Sequence, residues 1–206
     1  MDVASLFYPK LCLGCGRVGA YFCSHCQVKI SSFPVSFCPK DTFIWLKNQG
    51  LTRKALCRFK YSLTTDLAKE LTLLALVKQP LIVKRLKNRL RGFVITPIPL
   101  YWHRQNWRGF NQAEILAALM ARQLDLEMTV SLIKRVKKTV PQSTLTKPQR
   151  QFNLEQAFTI VKAEKVKNKD ILIFDDIYTT GETLKQAKKV LQQAGARRVF
   201  LMALAG

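Results

Sequence analysis

Residues 171–183 read ILIFDDIYTTGET. An apolar run from Ile171 to Phe174 ends in two adjacent carboxylates, Asp175 and Asp176. Tyr178, Thr179, Thr180 and Gly181 form a short polar loop, and a helix is expected to start near Thr183. Over 182–194, Leu184, Ala187, Val190, Leu191 and Ala194 recur at helical spacing, and Gly195 stands where a left-handed residue would end that helix. Residues 199–204 are a second apolar strand. Strand, helix, strand in this span predicts a βαβ unit, and therefore a parallel sheet. Ligands of such sheets sit beyond the carboxyl ends of the strands, where the 175–183 loop falls.

Working upstream, residues 51–77 carry helical spacing until Pro80 interrupts it. The 81–91 segment places Val83, Leu86 and Leu90 on one face, with Lys84, Arg85, Lys87, Arg89 and Arg91 around the other. Such a basic face either binds polyanions or is simply solvated. Residues 92–99 read as a buried strand that runs into prolines. Residues 113–126 form a strong helix with Asn111 or its neighbour as cap and Glu114 in the first turn. A short strand is expected at 158–161. The fold class is α/β: a parallel sheet flanked by helices.

Along the 171–176 strand, Ile171, Ile173 and Asp175 should face one way and Leu172, Phe174 and Asp176 the other. Adjacent carboxylates at a strand end repel unless vicinal hydroxyls or a divalent cation engages them. The backbone N–H groups of 178–183 precede a helix N-terminus, which attracts phosphate. Thr179, Thr180 and Thr183 add hydroxyls, and Gly181 lets the backbone close on an anion. Acids and loop together suit a ribose that carries a phosphate.

The chain has 206 residues, enough for one substantial core and a small appendage. With 48% hydrophobic residues it should fold, and no stretch resembles an export signal or a membrane span, so a cytoplasmic protein is expected. Lys and Arg number 34 against 13 acids, a net charge of +21, which favours polyanionic partners. Five of the six cysteines precede residue 40. Cys12 and Cys15 form one C-x-x-C pair, Cys23 and Cys26 another, and two facing turns would supply the sulfur tetrahedron that zinc prefers. Four thiolates leave no open position, so the metal should be structural, folding about forty residues. Cys38 is a spare thiol or a degraded second site, because Asp41 stands where a further cysteine would be needed. Cys57 is expected in the core. The expected division is a four-cysteine zinc module over 1–45 and a second domain over 46–206.

The 171–183 string, apolar residues followed by two acids and T-T-G-x-T, resembles the signature of type I phosphoribosyltransferases. Two further strings narrow the likeness: Pro97-Ile98-Pro99-Leu100 followed by Arg108-Gly109-Phe110-Asn111-Gln112, and Gln142-Ser143 followed by Leu145, Arg150, Asn153 and Phe158. With the N-terminal cysteine module, these resemble the ComF family of competence-associated proteins over nearly the whole chain. The resemblance implies that Asp175 and Asp176 hold the ribose hydroxyls of phosphoribosyl pyrophosphate, and that Mg²⁺ bridges its pyrophosphate. Tyr178, Thr179, Thr180, Gly181, Glu182 and Thr183 would line the 5-phosphate. It also implies a cytosolic protein that helps imported single-stranded DNA reach recombination during natural transformation, with a ComFA-like helicase as partner.

Arg104, Arg108, Lys137 and Lys138 are candidate pyrophosphate contacts or surface charge, and the polar 134–150 stretch is a candidate lid. Residues 101–108 interleave aromatics with cations, so Trp107, Arg104 and Arg108 could meet single-stranded DNA by stacking and phosphate contact. Alternatively, Trp102 and Trp107 pack under the loop. The sequence ends at Gly206 without the hood segment that type I enzymes use to read a base, and the zinc module is expected in its place, facing the 175–183 loop. Three readings stay open: a DNA-handling protein with a phosphoribosyl pocket, an active phosphoribosyltransferase using a nucleobase or amine acceptor, and a scaffold that docks the helicase.

Overall fold

The computed structural model describes residues 9–34, 39–62, 64–136 and 157–206, the side chains of Arg104 and Gln105 excepted. A short helix, α1 (Ser24–Gln27), lies in the cysteine segment, and strand β1 (Thr42–Leu46) follows. Next come α2 (Gly50–Tyr61), α3 (Thr65–Val77), α4 (Pro80–Arg89), β2 (Phe93–Pro97), α5 (Trp102–Arg108), α6 (Gln112–Leu124) and β3 (Glu127–Met128). Strands β4 (Ile133–Arg135) and β5 (Phe158–Ile160) and a 3-10 turn at Ala163–Lys165 lead to β6 (Asp170–Ile177), α7 (Glu182–Gln193) and β7 (Arg198–Ala205).

The main sheet has the order β1-β7-β6-β2-β3 and is parallel throughout. The expected βαβ unit is β6-α7-β7, paired from Asp170↔Arg198 to Ile177↔Ala205. Gly195 follows α7 at φ 87, the left-handed conformation expected after the helix. Strand β6 is central, and its side chains alternate as expected. Ile171 and Ile173 pack with Leu184, Ala187 and Leu191 of α7. Leu172 and Phe174 pack with Ile95, Leu116 and Met120 on the other face. Each such burial stabilises by about 1.5–3 kcal/mol, which fixes both faces of the strand and so the direction of its last two acids.

Asn111 does cap α6, accepting from Ala113 N at 3.1 Å, while its Nδ2 donates to Ile98 O at 3.0 Å. One buried side chain therefore ties the helix start to the end of β2. Pro80 opens α4 at a position where its missing N–H costs nothing.

Two elements differ from expectation. The 51–77 helix is two helices: the Ser62 hydroxyl donates back to Arg58 O at 3.1 Å and its backbone turns extended, ending α2. Lys134 and Arg135, at the start of the candidate lid, lie in β4, which pairs antiparallel with β5 in a separate two-stranded sheet. Residues 137–150 lie outside the described residues, as do Cys38 and the Gln142, Ser143, Leu145, Arg150 and Asn153 positions of the family pattern. Finally, β1 is an additional strand of the main sheet, pairing with β7 from Thr42↔Leu201 to Leu46↔Ala205, and it straddles the expected boundary at residue 45. Asp41, just before it, is ion-paired with Lys188 of α7.

The cysteine segment joins the main core. Leu13, Tyr21, Phe22 and Ile30 share one buried cluster with Trp45, Leu56, Phe59, Leu67 and Leu71. A Glu70 oxygen accepts from Tyr21 N and Phe22 N at 2.8 and 3.3 Å, and Lys54 Nζ donates to Leu13 O at 2.7 Å. The described contacts of the segment thus fall on α2, α3 and β1, where Phe33 N donates to Trp45 O at 2.9 Å. Among the described residues no helix is long and apolar enough to cross a membrane.

Candidate functional site

Strand β6 delivers Asp175 and Asp176 to the carboxyl edge of the sheet. The Asp176 N–H donates to Asp175 Oδ1 at 2.9 Å. Loss of surrounding water, then the charge of Asp176, holds the Asp175 carboxyl well above the usual carboxylate range, opposed in part by Arg135.

Helix α2 stands beside the pair. A three-residue connection separates the helix from β1, and its last turn brings Lys60 Nζ to 3.8 Å from Asp176 Oδ2. Gln112 Nε2 donates to Lys60 O at 3.4 Å, and Arg108 Nη1 donates to Gln112 Oε1 at 3.2 Å. Arg108 is so connected through Gln112 to Lys60 and the acidic pair. Lys60 and Arg135 are site neighbours that sequence reasoning missed. Neither had a local signal: Lys60 is one of several cations on an amphipathic helix, and Arg135 stands in a three-residue strand, its guanidinium 5.6 Å above Phe158.

Beyond the acids, Tyr178 N donates to Ala205 O at 2.7 Å and so anchors the loop to the end of β7. Gly181 has φ 76, and a side chain there would fall on the Tyr178 ring. The glycine is needed twice, for its backbone angle and for the room it leaves. Gly181 caps α7 without a side-chain hydrogen bond, and Thr180 Oγ1 lies 3.5 Å from Glu182 N. The first turn of a twelve-residue helix thus opens onto Thr179, Thr180 and Thr183 with its dipole favouring an anion. Glu182 lies 3.7 Å from Lys185 on the outer side.

Trp107 is 72% exposed and meets Tyr61, also 72% exposed, edge to face at 6.1 Å. Trp102 is 51% exposed and stacks on His103 at 3.6 Å. Packing of the two tryptophans beneath the loop is thereby overturned, because α5 projects them outward. Tyr61, one residue from Lys60, is a further member of this aromatic surface. The Arg104 side chain, Lys137 and Lys138 lie outside the described residues.

The sulfurs of Cys12, Cys15, Cys23 and Cys26 all lie within 4.8 Å of one another, so this cluster could hold a metal ion. Cys12–Cys23 and Cys15–Cys23 separations are 3.6 and 3.7 Å, close to the roughly 3.8 Å edge of a tetrahedron with metal–sulfur bonds of about 2.3 Å. Gly14 permits this closure, since a side chain there would meet Cys26 Sγ at 2.6 Å. Without a cation the thiols diverge: backbone N–H donors, that of Cys23 foremost, bring Cys12 down to about 6, while burial pushes Cys26 up to about 12. A bound cation would resolve that conflict by favouring thiolate at all four. Cys57, expected in the core, is exposed, because α2 buries Thr52, Ala55, Leu56 and Phe59 and turns residue 57 outward.

Residues 111–206 match the phosphoribosyl transferase domain model. Competence protein F of Haemophilus influenzae is 37% identical over 112 residues, 54% of this chain and 49% of that protein. DNA utilization protein YhgH of Escherichia coli is 30% identical over 148 residues, covering 71% and 63% of the two chains. The chain thus spans 49% and 63% of the length of these two relatives. Competence protein ComFC of Streptococcus pneumoniae is 28% identical over 204 residues, 94% of this chain and 86% of that one. Among solved structures, a hypoxanthine phosphoribosyltransferase of Staphylococcus aureus has a TM-score of 0.40 at 15% identity, covering 66% of this chain and 61% of that one. The parallel sheet flanked by helices, with β3, β6 and β7 inside the matched domain, is the type I phosphoribosyltransferase fold. The chain is thus similar to competence and DNA utilization proteins, and its residues 111–206 match a phosphoribosyl transferase domain.

Proposed function

We propose that this chain is a ComF-type protein of DNA uptake that binds phosphoribosyl pyrophosphate with Mg²⁺ at the carboxyl edge and single-stranded DNA on the neighbouring surface. The observation that carries the reading is the adjacent Asp175–Asp176 pair at the carboxyl edge, beside a first turn of α7 whose cap, Gly181, offers no side chain. The acids suit ribose hydroxyls, and Tyr178–Thr179–Thr180–Gly181–Glu182–Thr183 suits a 5-phosphate. Mg²⁺, when bound, would offset the charge of the pyrophosphate. Arg108 stands near enough, through Gln112 and Lys60, to face that group or a DNA phosphate. Exposed Trp107 and Tyr61 offer stacking faces for bases, each worth about 1–3 kcal/mol.

The same reading assigns zinc to the four cysteines and treats 1–45 as the metal-braced unit on a 46–206 phosphoribosyltransferase-type domain. Reduced thiolates suit a cytoplasmic setting. The names of the relatives, competence protein and DNA utilization protein, support a place in DNA uptake, with a ComFA-like helicase as partner.

Calorimetric titration with phosphoribosyl pyrophosphate and Mg²⁺ tests the pocket. Wild type should bind, and Asp176→Asn should weaken binding about tenfold to hundredfold, as expected for loss of a charged hydrogen-bond acceptor. Absence of heat with the wild-type chain would overturn the reading.

A further inference from the structure

The opposite, amino edge of the sheet is a concentrated basic surface that the phosphoribosyl site does not use. Pairing places Phe93, Asp170 and Arg198 in one row across β2, β6 and β7. Arg91 lies two residues before that row, and Lys169 one residue before it. Arg197 N donates to Lys169 O at 2.8 Å, and Arg89 Nη2 donates to Lys40 O at 2.6 Å. Lys40, Arg89, Arg91, Lys169, Arg197 and Arg198 are all exposed.

The guanidiniums are held in place from below. Arg89 lies 5.4 Å from the Phe43 ring and 5.0 Å from Phe200, and Arg198 lies 4.9 Å above Phe93. Phe93 and Phe200 are themselves 4.9 Å apart. Both cations therefore rest on one aromatic floor, which lowers the entropy cost of ordering them against a ligand.

The acids near this edge are outnumbered by its cations; Glu127, exposed and in register with Val94, adds one negative charge. Asp170 is 2% exposed and is shared by Arg197 and Arg198, so two cations meet one buried carboxylate. Asp41 is taken by Lys188 and Asp125 by Lys87. Solvated helix termini commonly carry cations, and Arg89 at the end of α4 would be explained that way. Lys40, Lys169, Arg197 and Arg198 end no helix, and their convergence on the same edge needs another reason.

We infer that the amino edge is a second contact surface for the phosphate backbone of single-stranded nucleic acid, separate from the aromatic surface around Trp107. Arginine is suited to phosphate by its forked donors, and a backbone track needs no base-reading groups. This inference rests on the proposed single-strand binding.

The test uses the full chain, a fluorescent oligothymidylate of about 20 nucleotides, and anisotropy across a salt series. The triple variant Lys40→Gln/Arg91→Gln/Lys169→Gln leaves the Asp170 pairs and the Arg89 stacking intact. Its affinity should fall about tenfold near 0.1 M salt, and its log–log salt slope should be shallower by about two, at about 0.7 per phosphate contact. A control with equal charge loss elsewhere, Lys29→Gln/Arg53→Gln/Arg122→Gln, should stay within about twofold of wild type. If wild type binds no oligonucleotide, the proposed function fails and the inference with it. If wild type binds and the amino-edge triple matches it, or the control loses as much, the inference alone is overturned. Displacement of the strand by poly-glutamate as readily as by unlabelled oligothymidylate would mark a general acidic-partner surface and also overturn it.

Discussion

Strand β6 carries an aspartate at each end, five residues apart in sequence, and the two are treated in opposite ways. At the amino end, Asp170 is surrounded by its own counter-charge: Arg198 and then Arg197 hold its carboxyl far below the ordinary range. At the carboxyl end, burial and the neighbouring Asp176 push the Asp175 carboxyl up, and Lys60 and Arg135 compensate only in part. A structural carboxylate is satisfied by the fold. A carboxylate left with a deficit can be satisfied by a ligand, and in the proposed function that contrast distinguishes the binding end of the strand.

Asp170→Asn should have the largest effect on stability. It breaks a buried, doubly bonded pair and should cost about 2 kcal/mol, toward the low side for buried pairs because the released guanidiniums can turn to water. Urea unfolding at pH 7 reads this as a lower midpoint. Asp170 has a depressed folded pKa, so its contribution is complete above the ordinary carboxylate range and is lost as pH falls from that range through the folded pKa. A midpoint at or above wild type at pH 7 would remove the contrast between the two ends.

Asp175→Asn should act in the other direction, raising stability by about 1 kcal/mol at pH 7 in the absence of ligand. The folded pKa of Asp175 is raised, so the wild-type penalty is present above that pKa and is relieved as pH falls through it. Thermal melts of the two proteins should therefore differ at neutral pH and converge in acid. Divergence on acidification would show that Asp175 is already satisfied by the protein.

The smallest effect belongs to Lys60→Gln. At 3.8 Å and with both side chains partly exposed, the Lys60–Asp176 pair is a loose contact, and its loss should change stability by no more than about 0.5 kcal/mol. A loss above about 1 kcal/mol would mean that the carboxyl edge carries its own counter-charge after all.

The 171–183 string was legible because its parts are local. Apolar alternation, adjacent acids and a glycine before a helix each constrain residues a few positions away, and β6, the loop and α7 followed. The C-x-x-C pairs were legible for the same reason, since each closes within one turn and only their facing was left to the fold. Thr42–Leu46 was not, because a five-residue apolar run becomes a strand only when β7 supplies its hydrogen bonds. Cys57 and Ser62 turned on helix phase and on one side-chain hydrogen bond, both too fine for periodicity.

By itself, the sequence determined a parallel α/β sheet, a paired-acid loop at its carboxyl edge and a four-sulfur cluster, all consequences of spacing along one chain segment. Only the tertiary structure decided which charges meet those groups. Lys60 reaches Asp176 across more than a hundred residues of chain, Arg197 and Arg198 close on Asp170, and Lys188 takes Asp41. Charge compensation depends on distance in space and on exclusion of water, and neither is written in the order of the residues.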